Sequence, residues 1–135
     1  MKRIYFTLAT IAGLFTLSSC EFDEGILPDI EFKTGSGYLY EDTTLESGAS
    51  FKTGIRAEKT ENRDVLKKFN ISTSVNGGAT TSIYNRDLND SEEDYFSYDY
   101  NGTVQADSGD VVLYIFTVSN RDGLVNQVDF EITVD

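Results

Sequence analysis

The sequence contains no histidine and no tryptophan, and its 135 residues include one cysteine and one proline. Without histidine the commonest general base is missing, and without a second cysteine there is neither a disulfide nor a thiol nucleophile apart from Cys20. Zinc loses its usual nitrogen and sulfur ligands for the same reason. No Gly-x-Ser-x-Gly elbow offers a serine route, and no tryptophan offers a flat platform for a sugar ring. Basic residues are also scarce: 11 Lys and Arg stand against 23 Asp and Glu. Nucleic acid is therefore not an expected partner, because phosphate recognition needs clusters of Lys and Arg, and beyond the first three residues only Lys67 and Lys68 are adjacent.

What the chain does have begins at its start. Lys2 and Arg3 precede an apolar run from Ile4 to Leu17, which ends in Leu17-Ser18-Ser19-Cys20. The run is shorter than the roughly 20 residues that cross a bilayer, and it is interrupted by Thr7, Thr10, Gly13 and Thr16. A basic start, a short apolar stretch and small residues before a cleavage point are the three parts of an export signal. Leu17, Ser18 and Ser19 ahead of Cys20 resemble the lipobox of bacterial lipoproteins. That resemblance implies removal of residues 1–19 and acylation of Cys20, and hence anchoring of the protein in a membrane by lipid. Two or three acyl chains, at about 0.8 kcal/mol per buried methylene, make such an anchor stable.

Glu21-Phe22-Asp23-Glu24, Gly25 and Pro28 follow, and residues 20–28 read as a short solvated tether of at most roughly 28 Å. The acidic cluster resembles the address that directs lipoproteins of the Bacteroidota to the outer face of the outer membrane. Residues 29–135 remain for one domain of ordinary size. Lacking a disulfide, that domain must rest on packing.

From Asp29 the apolar pattern has period two, the signature of strands with one buried face. Ile30 and Phe32 begin it. Phe51, Thr53, Ile55 and Ala57 alternate with Lys52, Gly54 and Arg56; Phe69, Ile71, Thr73 and Val75 then alternate with Asn70, Ser72 and Ser74. Asn76-Gly77-Gly78 predicts a hairpin and a return strand through Ile83 and Tyr84. Phe96, Tyr98 and Tyr100 share an inward face with Tyr95 outside, and Asn101-Gly102 reads as the next turn. Val111 to Val118 is almost continuously apolar, which predicts a central strand covered on both faces. Asp122-Gly123 marks a reversal longer than two residues before Val128, Phe130, Ile132 and Val134. Asn62–Lys68 and Asn89–Asp94 are candidates for short helical turns or loops. The expectation is an all-β, two-sheet antiparallel sandwich of about seven strands.

Three stretches carry a further likeness: Phe51 to Ala57; Leu66 to Ile71 with the Asn76-Gly77-Gly78 turn; and Tyr114 to Val118 with Asp122-Gly123 and Ile132 to Val134. In this order they resemble the immunoglobulin-like domains of small lipoproteins of the Bacteroidota, and the last looks like the closing hairpin of cadherin-like adhesion modules. The resemblance implies an immunoglobulin-like fold. It departs from antibody domains in having no Cys-Trp-Cys core and no tyrosine at the corner position.

Candidate chemistry is limited to oxygen ligands. Asp99, Asn101, Asp107 and Asp110 form part of a calcium-loop pattern, with Ser97 and Ser108 where acids belong. Asn85, Asp87, Asn89 and Asp90 make a second cluster without the glycine of the sharp turn. Turn chemistry selects the same residue types, so no cofactor is required by either. Asp90, Glu92, Glu93 and Asp94 hold the carboxylates that a glycosidase uses, but a polar run in a turn gives no reason for one pKa to rise above its neighbour's. Asp42-Thr43-Thr44 resembles a short O-glycosylation signal. The reading is a non-catalytic, lipid-anchored envelope protein that binds a protein or glycan partner, as part of a surface complex for nutrient capture or adhesion. The alternative is a pilus-like subunit that exchanges strands.

Overall fold

The computed structural model describes residues 25–135, an all-β domain with eight strands in two facing sheets. The first sheet has the order β1 (Asp29–Phe32), β3 (Ser50–Glu58), β6 (Tyr95–Thr103), all antiparallel. The second has the order β2 (Thr43–Leu45), β8 (Val125–Val134), β7 (Val111–Asn120), β4 (Leu66–Val75), β5 (Thr81–Asp87). A two-layer β-sandwich is therefore present. It has one strand more than expected and is not wholly antiparallel, since β2 runs parallel to β8 with Thr43 opposite Ile132 and Leu45 opposite Val134. Three residues with one apolar side chain carry too little pattern to be read as a strand.

Between the sheets lies a core built from the alternating positions. Phe51, Ile55 and Ala57 of β3, Phe69 and Ile71 of β4, Phe96 of β6 and Phe116, Val118, Phe130 and Ile132 of β7 and β8 are all buried. Rings join the layers. Phe32 of β1 lies 5.6 Å from both Phe116 and Phe130, and Phe69 lies 5.1 Å from Phe96. Such edge and tilted pairs add to the burial of apolar area, which drives the assembly.

Several expectations are corrected by the structure. Asn101-Gly102 is no turn: both residues lie within β6, opposite Lys52 and Phe51. The glycine is needed there because a Cβ at Gly102 would fall 2.7 Å from Phe51 Cε1. Asn62–Lys68 is not helical, since β4 begins at Leu66, whereas Asn89–Asp94 does contain one 3-10 turn over Asp90–Glu92, closed by a capping box between Asn89 and Glu92. β7 is central, between β8 and β4, but it is fully buried on one face only; Leu113, Ile115 and Thr117 on the other face are half-buried. Val75 shares the inner face of β4 yet is 44% exposed, because the two sheets part at that end.

The predicted reversals hold at two places. Asn76 (φ 52) and Gly77 (φ 72) supply the consecutive positive dihedrals of the β4–β5 hairpin, and residues 121–124 connect β7 to β8 with Gly123 at φ 83.

Candidate functional site

Leu17, Ser18, Ser19 and Cys20, with tether residues 20–24, lie outside the described residues. The tether's last members are fixed. Pro28 is fully buried, its carbonyl accepts from Asn126 Nδ2 at 2.9 Å, and the Thr60 hydroxyl donates to the Leu27 carbonyl at 2.9 Å. The sandwich thus begins at Pro28, and its N-terminal end carries Asp29, Glu58 and Tyr95, which are opposite one another across the first sheet.

At the opposite end of that sheet, where Ser50 pairs with Thr103, the two layers separate into a cleft of about 460 Å³. Its walls are Thr73, Val75 and Ile83 of the β4–β5 hairpin on one side and Tyr100 to Thr103 of β6 on the other, with Val112 and Tyr114 of β7 as the floor. Val75 and Ile83, which both line the cleft, are 44% and 43% exposed. Tyr114 is only 6% exposed, and its ring packs edge-on 5.2 Å from that of Phe51. Burial, together with the neighbouring Tyr100, pushes the Tyr114 phenol up to about 12, and burial likewise raises that of Tyr100.

Further along the same seam the layers close. Tyr84 stacks on Tyr98 at 4.9 Å, the Arg86 guanidinium lies 5.4 Å from the centre of the Phe96 ring, and Arg86 is paired with Glu92. Three of the four carboxylates in the run beside it are engaged: Glu93 accepts from Lys67 at 2.7 Å, Asp94 pairs with Lys59 at 2.6 Å, and Glu92 is held by Arg86 and the Asn89 backbone, while Asp90 is exposed in the 3-10 turn. These residues tie the β5–β6 connection to the sheets.

The four calcium candidates are not assembled into one site. Asp99 lies on the outer face of the first sheet, where its Oδ1 accepts from Lys33 Nζ at 2.6 Å and its Oδ2 faces Lys52 Nζ at 3.2 Å and the Tyr38 hydroxyl at 3.1 Å. The Lys33 hydrogen bond, with those of Lys52 and Tyr38, lowers the Asp99 carboxyl to about 2. Asn101 is exposed two residues further along β6. Asp107 and Asp110 close the β6–β7 loop on themselves: the Asp107 N–H donates to Asp110 Oδ2 at 3.1 Å, and Asp110 Oδ1 accepts from Asn76 Nδ2 at 2.7 Å. Of the second cluster, Asp87 faces Lys68 at 3.8 Å and Asn89 caps the 3-10 turn. Among the described residues, no group of three or more acidic side chains is placed to hold a metal ion.

The cleft was not legible in the sequence. Tyr114 sits in the middle of an apolar run and reads as core, and the cleft arises only from the parting of the two sheets beyond it.

No family pattern and no curated protein matches the sequence. Among solved structures the fold is similar to that of Spo0M, a sporulation control protein from Bacillus subtilis, at 10% identity and a TM-score of 0.47, over 81% of this chain and 49% of that one. It is also similar to a structural genomics target, SoR45, at 11% identity and a TM-score of 0.43, over 79% of this chain and 86% of that one. The chain thus spans about half the length of Spo0M.

Proposed function

We propose that the chain is a lipid-anchored envelope protein whose single immunoglobulin-like domain acts as a non-catalytic binding or structural module, as part of a surface complex for nutrient capture or adhesion. The observation that carries this reading is the spacing between anchor and fold. Cys20, at the end of a lipobox-like leader, stands eight residues before Pro28, the first fully buried residue of the sandwich. A tether of at most roughly 28 Å keeps the N-terminal end of the sandwich near the membrane. The cleft lies at the other end of β6, eight residues from Tyr95 and roughly 26 Å away at strand rise. It faces away from the bilayer.

Strand order supports the immunoglobulin-like assignment. Lettering β1, β3 and β6 as A, B and E, and β8, β7, β4 and β5 as G, F, C and C′, reproduces the A-B-E and G-F-C-C′ neighbours of that sandwich, without its D strand. A strand-donating pilus subunit fits less well, since a donor strand must be surplus to its own domain and β8 is paired on both sides, with β2 and β7.

Substituting Cys20→Ala tests the placement. The unaltered protein is expected in the detergent-rich phase on phase partition and the variant outside it; equal retention of both rules out acylation at Cys20.

A further inference from the structure

We infer that β6 accepts an extended peptide strand from a partner protein along its free edge, at the end away from the membrane, with alternate apolar side chains of that peptide entering the cleft against Val75 and Ile83. The inference rests on the proposed anchoring only for its orientation; the cleft and the edge stand without it.

Three of the four sheet edges are poor templates. β1 has four residues and β2 three, and β5 carries an irregularity where Ile71 opposes Tyr84 but Ser72 opposes Ser82, so that Ile83 bulges out of register. Short and bulged edges terminate pairing. β6 differs. It pairs with β3 without a break over nine residues, from Tyr95 opposite Glu58 to Thr103 opposite Ser50.

The register also tells which backbone groups are free. Val104 exchanges bonds with the chain beyond β3, donating to the Ala49 carbonyl at 2.9 Å and accepting from Gly48 at 2.8 Å. By antiparallel alternation Gly102 and Tyr100 face β3 as well, and the N–H and C=O groups of Asp99, Asn101 and Thr103 point outward. Among the described residues they have no backbone partner on that side. This is the place of the missing D strand.

Backbone donors and acceptors in a row select a peptide over a glycan or a lipid, and side chains on one face of an added strand would enter at every second residue. Those positions meet Val75, Ile83 and Ala106, with the Tyr114 ring beneath. The charge of the partner follows from the rim. The β2–β3 and β6–β7 loops are tied together by Ser47 Oγ to the carbonyl of cleft-lining Ala106 at 2.8 Å; Glu46 and Asp107 are the chain neighbours of these two residues, and Asp110 accepts from Asn76, the neighbour of Val75, at 2.7 Å. None of these three acids forms an ion pair among the described residues, whose ion pairs involve Asp99, Glu31, Asp94, Glu93, Asp87 and Glu92. A segment with alternating apolar residues and a basic end fits both.

The test titrates the full chain, extracted in detergent, with an alternating valine–threonine octapeptide that carries two lysines at one end, and follows backbone amide signals by NMR and amide hydrogen exchange. Binding is expected to shift and protect the amides of Asp99, Asn101 and Thr103, to weaken about tenfold in Ile83→Asn, which removes an exposed side chain, and to weaken when glutamates replace the lysines. A tenfold loss corresponds to 1.4 kcal/mol. Absence of shifts at millimolar peptide, or shifts confined to β5 or the outer face, overturns the inference. So does concentration-dependent pairing of the chain with itself through β6, which would make a second copy the occupant. Acylation of the same preparation is read separately by phase partition, so failure of the anchor and failure of the cleft are distinguishable.

Discussion

The side-chain amide of Asn120, the last residue of β7, donates to the carboxylate of Asp64 in the β3–β4 connection, 56 residues earlier, and both groups are buried. Asn120 also accepts from the Leu124 N–H at 2.8 Å, and Asp64 accepts from the Val65 N–H at 2.8 Å. One polar pair therefore fixes two loops at the end of the sandwich where the tether arrives. Both acceptors of a buried carboxylate need donors, and the loss of one exposes the full cost of desolvation.

Asn120→Ala is accordingly expected to destabilise the domain by about 2–3 kcal/mol, as measured by urea denaturation. The double variant with Asp64→Ala should lose less than the sum of the two single changes, because each removes the partner of the other. Additive losses would show that the pair is not coupled.

Thr53 offers a change of opposite sign. Its hydroxyl is fully buried on the inner face of β3 and lacks any hydrogen-bond partner among the described residues. Thr53→Val replaces an unsatisfied oxygen by a methyl group of similar shape. A gain of about 1 kcal/mol is expected, read as a higher denaturation midpoint with unchanged slope.

Gly102→Ala tests why glycine stands inside a strand. The new methyl would meet the Phe51 ring, which is itself packed 5.2 Å from Tyr114, so the ring cannot withdraw without disturbing the cleft floor. A loss of about 1–3 kcal/mol is expected from overpacking. An unchanged midpoint would mean that Phe51 has another place to go.

These residues also mark how far the sequence could be read. Period-two alternation located β3, β4, β6 and β8 because one face of each meets the core, and Asn76-Gly77 was legible as a hairpin because both residues do take positive φ. Asn101-Gly102 has the same letters for a different reason, since a close approach of Phe51 and a tight turn both select glycine. Pairing across distance was not legible: nothing in Thr43 to Leu45 indicates a parallel neighbour 89 residues later, as Thr43 has in Ile132. The Asp99 cluster was hidden likewise, because Lys33, Tyr38 and Lys52 reach it only once β1, β3 and β6 lie side by side.

The pH dependence follows from that cluster. The Asp99 carboxyl is held at about 2 in the folded state, below its ordinary value near 3.9 in an unfolded chain, so its contribution to stability is present above pH ~4 and is lost as the pH falls toward 2. Asp99→Asn should remove this part of the acid sensitivity. The difference in melting temperature between the two proteins should shrink between pH 5 and pH 2, and less so in high salt, where the ammonium–carboxylate pairs are screened. A constant difference across that range would contradict a depressed carboxyl.

Whether the sandwich belongs to a membrane surface at all depends on residue 20, and the mass of the mature N-terminal peptide decides it. The expected result is a chain that begins at Cys20, with a diacylglyceryl group on sulfur and an acyl group on nitrogen. A free thiol at Cys20, or a peptide that still carries residues 1–19, would contradict the account.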